Sequence, residues 1–124
     1  MSSRTLRWLS VALVAGIGLI HLALAPGEYA EAPYLGLLFA ANFVGAIIAA
    51  VGIYRGQVWG WALGILIAAG SIIGYILSRT VGLPGMEIEA WLDPFGLLSL
   101  LVEAAFIALF FTIKPRAWQT ASSG

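Results

Sequence analysis

The sequence predicts an all-α integral membrane protein, a four-helix transmembrane bundle with its N and C termini in the cytoplasm. Of its 124 residues, 61% are hydrophobic and 10% are charged, whereas soluble domains carry about 25% charged residues. Its apolar stretches are long and unbroken, and they lack the alternating pattern of a transmembrane β-strand. Because a backbone in lipid must satisfy its own hydrogen bonds, helices remain as the spanning elements.

Four segments are long enough to cross a hydrocarbon core of ~30 Å, which takes ~20 apolar residues. They cover residues 8–25, 33–54, 59–78 and 94–113 of a single transmembrane domain, residues 1–124. Pro26-Gly27 is expected to close the first helix, and Lys114-Pro115 the fourth. The segments 26–32 and 79–93 are then the two outer loops.

The first span has a rival interpretation as a cleavable signal peptide, because Arg4 and Arg7 precede an apolar run that ends in small residues. That run is long for the apolar region of a signal peptide. Pro26 directly after the small-residue site is also a poor context for cleavage. We therefore expect a retained helix.

Charge orients the spans. With four spans, five of the six basic residues fall on one side, which the positive-inside rule makes cytoplasmic. These residues are Arg4, Arg7, Arg55, Lys114 and Arg116. An inner aromatic belt is predicted at Trp8, Tyr54, Trp59, Trp61 and Trp118, and an outer belt at Tyr29, Tyr34 and Trp91.

Glu103 lies near the middle of the fourth span, where an ionisable side chain costs ~2.5–3.5 kcal/mol on insertion scales. Other spans offer polar groups to the outer half of the same interior. The predicted intramembrane polar cluster comprises Glu103, Asn42, Ser71, Tyr75, Ser99 and His21. In a structural interpretation, a neutral Glu103 bonds Asn42 or Ser71 and joins helices. In a functional interpretation, it forms a proton or cation site entered from outside.

Arg79 is the one basic residue on the acidic outer side. Its side chain can extend to lipid phosphate or pair with an acid. Reaching Glu103 requires a descent of two helical turns, so pairing with an outer acid is easier. The predicted outer-mouth clamp comprises Arg79, Glu28, Glu87, Glu89 and Asp93, and Asp93 can also cap the fourth helix.

Small residues recur at four-residue steps, which lets helix backbones approach closely. The rows are Gly60-Gly64-Ala68, Gly70-Gly74 and Gly45-Ala49. Two interpretations stay open. The rows pack helices within one bundle, or they form an interface with another subunit.

The chain contains no cysteine and a single histidine. His21, Glu28 and Glu31 are the candidate metal ligands, although they lack a tight spacing such as His-Glu-x-x-His. Their interpretation as solvated loop residues is favoured over metal binding. A lone histidine can also ligate haem or chlorophyll in a larger assembly.

The sequence requires no cofactor and shows no catalytic motif, so we expect no enzyme. The formal net charge is zero, and nothing in the sequence indicates a nucleic-acid partner, which would need a basic face.

A resemblance to known sequences rests on two stretches and a later acid. The stretches are HLALAPGEYAEAPYLGLLF and SRTVGLPG, and the acid lies in the last span. From about His21 to Glu103, the chain resembles a group of small bacterial four-helix membrane proteins without an assigned activity, which share Ser-Arg-Thr-x-Gly-Leu-Pro. The resemblance implies a multi-pass protein of the bacterial inner (plasma) membrane. The residues that it marks for testing are His21, Glu28, Arg79, Gly82, Pro84 and Glu103.

The leading functional expectation is a non-catalytic accessory or scaffold subunit of a larger membrane complex. The small-residue rows and the lack of catalytic motifs motivate it. Its partners are then the lipid bilayer and other membrane subunits, or a second copy in a homo-oligomer. The alternative is a proton- or cation-linked transporter or sensor that uses Glu103. A third interpretation is metal, haem or pigment binding at His21.

Overall fold

Four α-helices make up the computed structural model, which describes the backbone of residues 2–123 and the side chains of residues 2–112. They are α1 (Ser3–Glu31), α2 (Pro33–Tyr54), α3 (Val58–Thr80) and α4 (Pro94–Ser123). Each helix is long and apolar enough to cross a membrane. The prediction of an all-α chain with four potential spans is therefore confirmed.

The helices form a ring in which α1 and α3 each pack on both α2 and α4. We call the half next to the α2–α3 turn the closed half and the half next to the α3–α4 connection the open half. Trp8 and Tyr54 place the start of α1 beside that turn, with ring centroids 5.3 Å apart. The hydrophobic core is dominated by large side chains of the closed half, such as Ile53, Trp61 and Phe106.

The closed half is tight because small residues bring helices into contact. A side-chain carbon on Gly60 would lie 2.7 Å from the Cα of Gly52, so the backbones of α2 and α3 touch. A carbon on Gly64 would lie 2.7 Å from the ring of Phe106, which is completely buried and stacks on Trp61. The row that begins at Gly60 is thus used for packing inside the chain.

The first helix is longer than predicted. It continues through Pro26 and ends at Glu31, so the predicted end at Pro26-Gly27 and the predicted loop 26–32 are wrong. Proline removes one helical hydrogen bond, but the following turn packs closely on α2. A side-chain carbon on Gly36 would lie 2.9 Å from the backbone nitrogen of Tyr29. Packing between the helices outweighs the local signal of the proline.

The other predicted ends also shift. α3 reaches Thr80, so Arg79 belongs to its last turn, and the connection to α4 covers residues 81–93 instead of the predicted 79–93. The backbone of α4 is helical to Ser123, beyond the predicted end at Lys114-Pro115, because a proline bends a helix without necessarily ending it. The predicted inner positions of Lys114, Arg116 and Trp118 lie outside the described side chains.

We expect Gly60→Ala to destabilise the bundle by roughly 1–3 kcal/mol, because the added methyl group meets backbone atoms that cannot move aside. Gly27→Ala is the matched control, since a carbon at Gly27 meets nothing within 4 Å, and alanine is the better helix former. Thermal unfolding in detergent measures both. Equal midpoints for the two variants would contradict the tight α2–α3 contact.

Candidate functional site

The open half contains a cavity of about 690 Å³, lined by residues of all four helices and of the α3–α4 connection. Pockets that hold drug-sized molecules measure roughly 300–1,000 Å³. The cavity is therefore large enough for an organic ligand. Its polar groups form two sets, one deep between the helices and one near the connection.

Glu103 is the most deeply buried charged residue of the cavity, with 1% of its surface exposed. The hydroxyl of Ser99, one turn earlier on α4, donates to Glu103 Oε2 at 2.6 Å. His21 Nε2, from α1, lies 3.9 Å from the same oxygen. The carboxyl group thus faces an imidazole across the α1–α4 interface.

The protonation pattern of His21 follows from its second contact. His21 Nδ1 lies 2.8 Å from the carbonyl oxygen of Ile17. Because a carbonyl oxygen only accepts hydrogen bonds, Nδ1 must carry a hydrogen. In the neutral ring, Nε2 is then an acceptor that faces Glu103. A proton or a cation between these two groups would satisfy both.

Asn42 and Ser71 form the second deep pair and connect α2 to α3. Asn42 Nδ2 donates to Ser71 Oγ at 2.9 Å, and Ser71 Oγ donates to the carbonyl oxygen of Ile67 at 2.7 Å. Because the hydroxyl group of Ser71 donates its only hydrogen to Ile67, its oxygen must accept from Asn42. This fixes the orientation of the Asn42 amide. Asn42 Oδ1 is left buried, with no hydrogen-bond donor in the described part of the chain.

Arg79 holds the connection against the bundle. Its side chain is only 8% exposed, with Nη1 3.0 Å from Glu89 Oε2 and Nη2 3.6 Å from Asp93 Oδ2. Its Nε donates to the carbonyl oxygen of Ala90 at 3.1 Å, and Cζ lies 3.8 Å above the ring centre of Tyr75. One guanidinium group therefore ties the last turn of α3 to the loop and to the start of α4.

Two tyrosine hydroxyls add to this attachment. Tyr75 donates to the carbonyl oxygen of Trp91 at 2.7 Å, and Tyr34 of α2 donates to that of Pro84. Because the loop residues Leu83, Pro84 and Met86 line the cavity, the connection covers its outer end.

The acids of the predicted clamp separate into contacts of different kinds. Glu89 and Asp93 pair with Arg79, whereas Glu28 and Glu31 lie beside Glu89, with carboxylate oxygens of the three within 4.8 Å of one another. His21, the third candidate metal ligand, lies beside Glu103 instead. Arg79 is the only lysine or arginine among the described lining residues of the cavity. Four acids near the mouth also line it, namely Glu28, Glu87, Glu89 and Asp93.

The sequence placed His21 and Glu103 in one polar cluster, and their equal depth follows once depth is counted from the correct helix end. His21 lies ten residues before Glu31, the last residue of α1. Glu103 lies nine residues after Pro94, the first residue of α4. The two depths agree, but the expected end at Pro26-Gly27 placed His21 too close to the surface.

Comparisons of the chain with models of known protein families, with curated proteins and with solved structures found no match.

Arg79→Gln should loosen the connection, because Glu89 and Asp93 lose their shared partner. We expect a loss of roughly 1–3 kcal/mol in the free energy of unfolding and faster proteolysis within residues 81–93. Arg55→Gln, at an exposed position in the α2–α3 turn, is the control and should change neither. Similar cleavage rates in the two variants would rule out the clamp.

Proposed function

We propose that the chain is a multi-pass protein of a bacterial inner membrane, with both termini in the cytoplasm and the open half on the outer side. The charge distribution supports this orientation. Arg4, Arg7 and Arg55 belong to the closed half, and the acids of the α3–α4 connection belong to the open half. Under the positive-inside rule, the closed half faces the cytoplasm.

Because the chain has no cysteine, single cysteines can test this orientation. Glu87→Cys should react with a membrane-impermeant maleimide in intact cells, since residue 87 is exposed in the outer connection. Gln57→Cys, exposed at the α2–α3 turn, should react only after the membrane is broken. Labelling of residue 57 in intact cells would overturn the orientation.

For the function, we propose proton- or cation-linked transport or sensing through Glu103. The observation that carries this proposal is the position of a buried carboxyl group at the inner end of a cavity, facing His21. An ionisable group at such a depth is costly and calls for a reason. A structural role in joining helices is a weak explanation for the buried Glu103, because its hydrogen bond is made with Ser99 of the same helix.

The chemistry of the pair suits binding of positive charge. When His21 is neutral and Glu103 is ionised, Nε2 and the carboxylate are two acceptors facing each other. A proton on either group turns that group into a donor, and a cation between them contacts both. Acids around the mouth raise the local concentration of cations and speed their entry.

One of the small-residue rows that motivate an accessory subunit is used inside the chain. Gly60 and Gly64 pack against α2 and α4 of their own chain, and Ala68 is completely buried. That row is therefore occupied within the described fold.

Glu103→Gln tests the proposed function, since the amide keeps the size of the side chain but cannot release a proton. Infrared difference spectra across a pH step should contain a carboxyl component in the wild type and in the control Glu31→Gln that is missing from Glu103→Gln, whose remaining carboxyl signal comes from the other acids. In proteoliposomes, a transporter should dissipate an imposed pH gradient, and Glu103→Gln should abolish that flux. Identical carboxyl difference spectra for the wild type and Glu103→Gln would refute titration at this residue.

A further inference from the structure

Between the deep polar groups and the closed half, all four helices are apolar. The deep groups belong to His21, Asn42, Ser71 and Glu103, one on each helix. On the side of the closed half, each of them borders an unbroken run of residues without polar side chains. We call these runs the apolar layer; they cover residues 11–20 of α1, 43–53 of α2, 62–70 of α3 and 104–111 of α4. Even the shortest run, on α4, spans roughly 12 Å at a rise of ~1.5 Å per residue.

Hydrogen bonds do not lead from the site of Glu103 into this layer. Among the side chains that the structure describes, Ser10 is the one buried polar residue of the closed half. Its hydroxyl donates to the carbonyl oxygen of Leu6, within α1, at 2.8 Å. The other buried polar side chains belong to the open half and line the cavity; they are His21, Ser78, Ser99 and Glu103.

Phe106 closes the apolar layer from the side of α4. Its side chain is completely buried, lies against Gly64 and stacks on Trp61 with ring centroids 6.0 Å apart. Ile17 of α1 and Ile53 of α2 are completely buried in the same core. Close-packed interiors hold few voids as large as a water molecule, and a buried water needs polar partners. The layer is therefore a barrier to protons and cations.

The opposite end of the cavity reaches solvent. Glu89 and Asp93 line the cavity, and their side chains are 36% and 45% exposed. Ser99, which donates to Glu103, lines the same cavity. In the proposed orientation, the cavity thus connects Glu103 to the outer aqueous phase, and the apolar layer separates Glu103 from the cytoplasm.

We propose, on the basis of the function proposed for Glu103, that Phe106 and the apolar layer seal the cytoplasmic side of the site. Glu103 then exchanges protons or cations with the outer aqueous phase alone. The chain is a sensor of that phase and not a transporter. Bound positive charge acts by changing the contact between Glu103 and His21 across the α1–α4 interface, without passing through the bundle.

A single cysteine in this cysteine-free chain tests the seal. Ser99→Cys places a thiol beside Glu103, and Ag⁺ is a small cation that blocks thiols against later labelling by a fluorescent maleimide in denaturing detergent. Ag⁺ should block this thiol readily in right-side-out membrane vesicles. In inside-out vesicles, blocking should be roughly a hundredfold slower, because the cation must cross the apolar layer. Equal rates from the two sides would overturn the proposal.

Phe106→Ala, added to Ser99→Cys, should open the seal and speed blocking in inside-out vesicles roughly tenfold or more. Phe111→Ala is the matched control, since this phenylalanine of the same helix is 66% exposed on the outside of the bundle, and it should keep the difference between the two sides. An unchanged difference in Phe106→Ala would show that Phe106 is not the seal. If Phe106→Ala does not fold, the rates of Ser99→Cys alone decide the proposal.

The infrared and flux measurements on Glu103 separate the two proposals. If the wild type dissipates a pH gradient and Glu103→Gln abolishes that flux, the seal is wrong while the function at Glu103 stands. If the carboxyl difference spectra of the wild type and Glu103→Gln are identical, the function proposed for Glu103 falls, whichever side Ag⁺ enters from.

Discussion

The backbone contact between Gly52 and Gly60 is the constraint on which the rest of the structure depends. It brings α2 and α3 together beside their turn, where no side chain could fit between them. Farther along, Gly45 meets the longer side chain of Ile67, and then the helices are linked by the Asn42–Ser71 bond. The two helices are therefore held at one end and left apart at the other, which creates room for the cavity.

The same arrangement separates apolar from polar packing. Phe106 fills the closed half against Gly64 and Trp61, and one turn earlier on α4, Glu103 begins the polar part of the interior. A polar residue placed a turn deeper would have to displace an aromatic ring from a close-packed core. The cavity consequently ends where Phe106 begins.

Composition and the length of the apolar runs were sufficient to predict the four helices, because hydrocarbon leaves a polypeptide few ways to satisfy the hydrogen bonds of its backbone. The ends of the helices were harder to predict from the sequence. Pro26 is a strong local signal for a break, but the close packing of Tyr29 on Gly36 depends on residues of another helix and outweighs it. The same error in the end of α1 placed His21 nearer the surface than Glu103, although the sequence had already grouped both residues in one polar cluster. The partners of Arg79 were limited by charge to a few acids, and only the folded loop distinguishes Glu89 and Asp93 from Glu87.

Asp93 serves two neighbours with one carboxylate oxygen, accepting from the backbone nitrogen of Gly96 at 3.2 Å and lying 3.6 Å from Arg79. The first turn of α4 and the arginine of α3 therefore share a single anchor. Ser99 and Glu103 stand on that same helix, one and two turns beyond Gly96. The contacts at the outer entrance and the inner carboxyl group thus belong to the same helix, α4. A rigid displacement of α4 therefore changes both positions together.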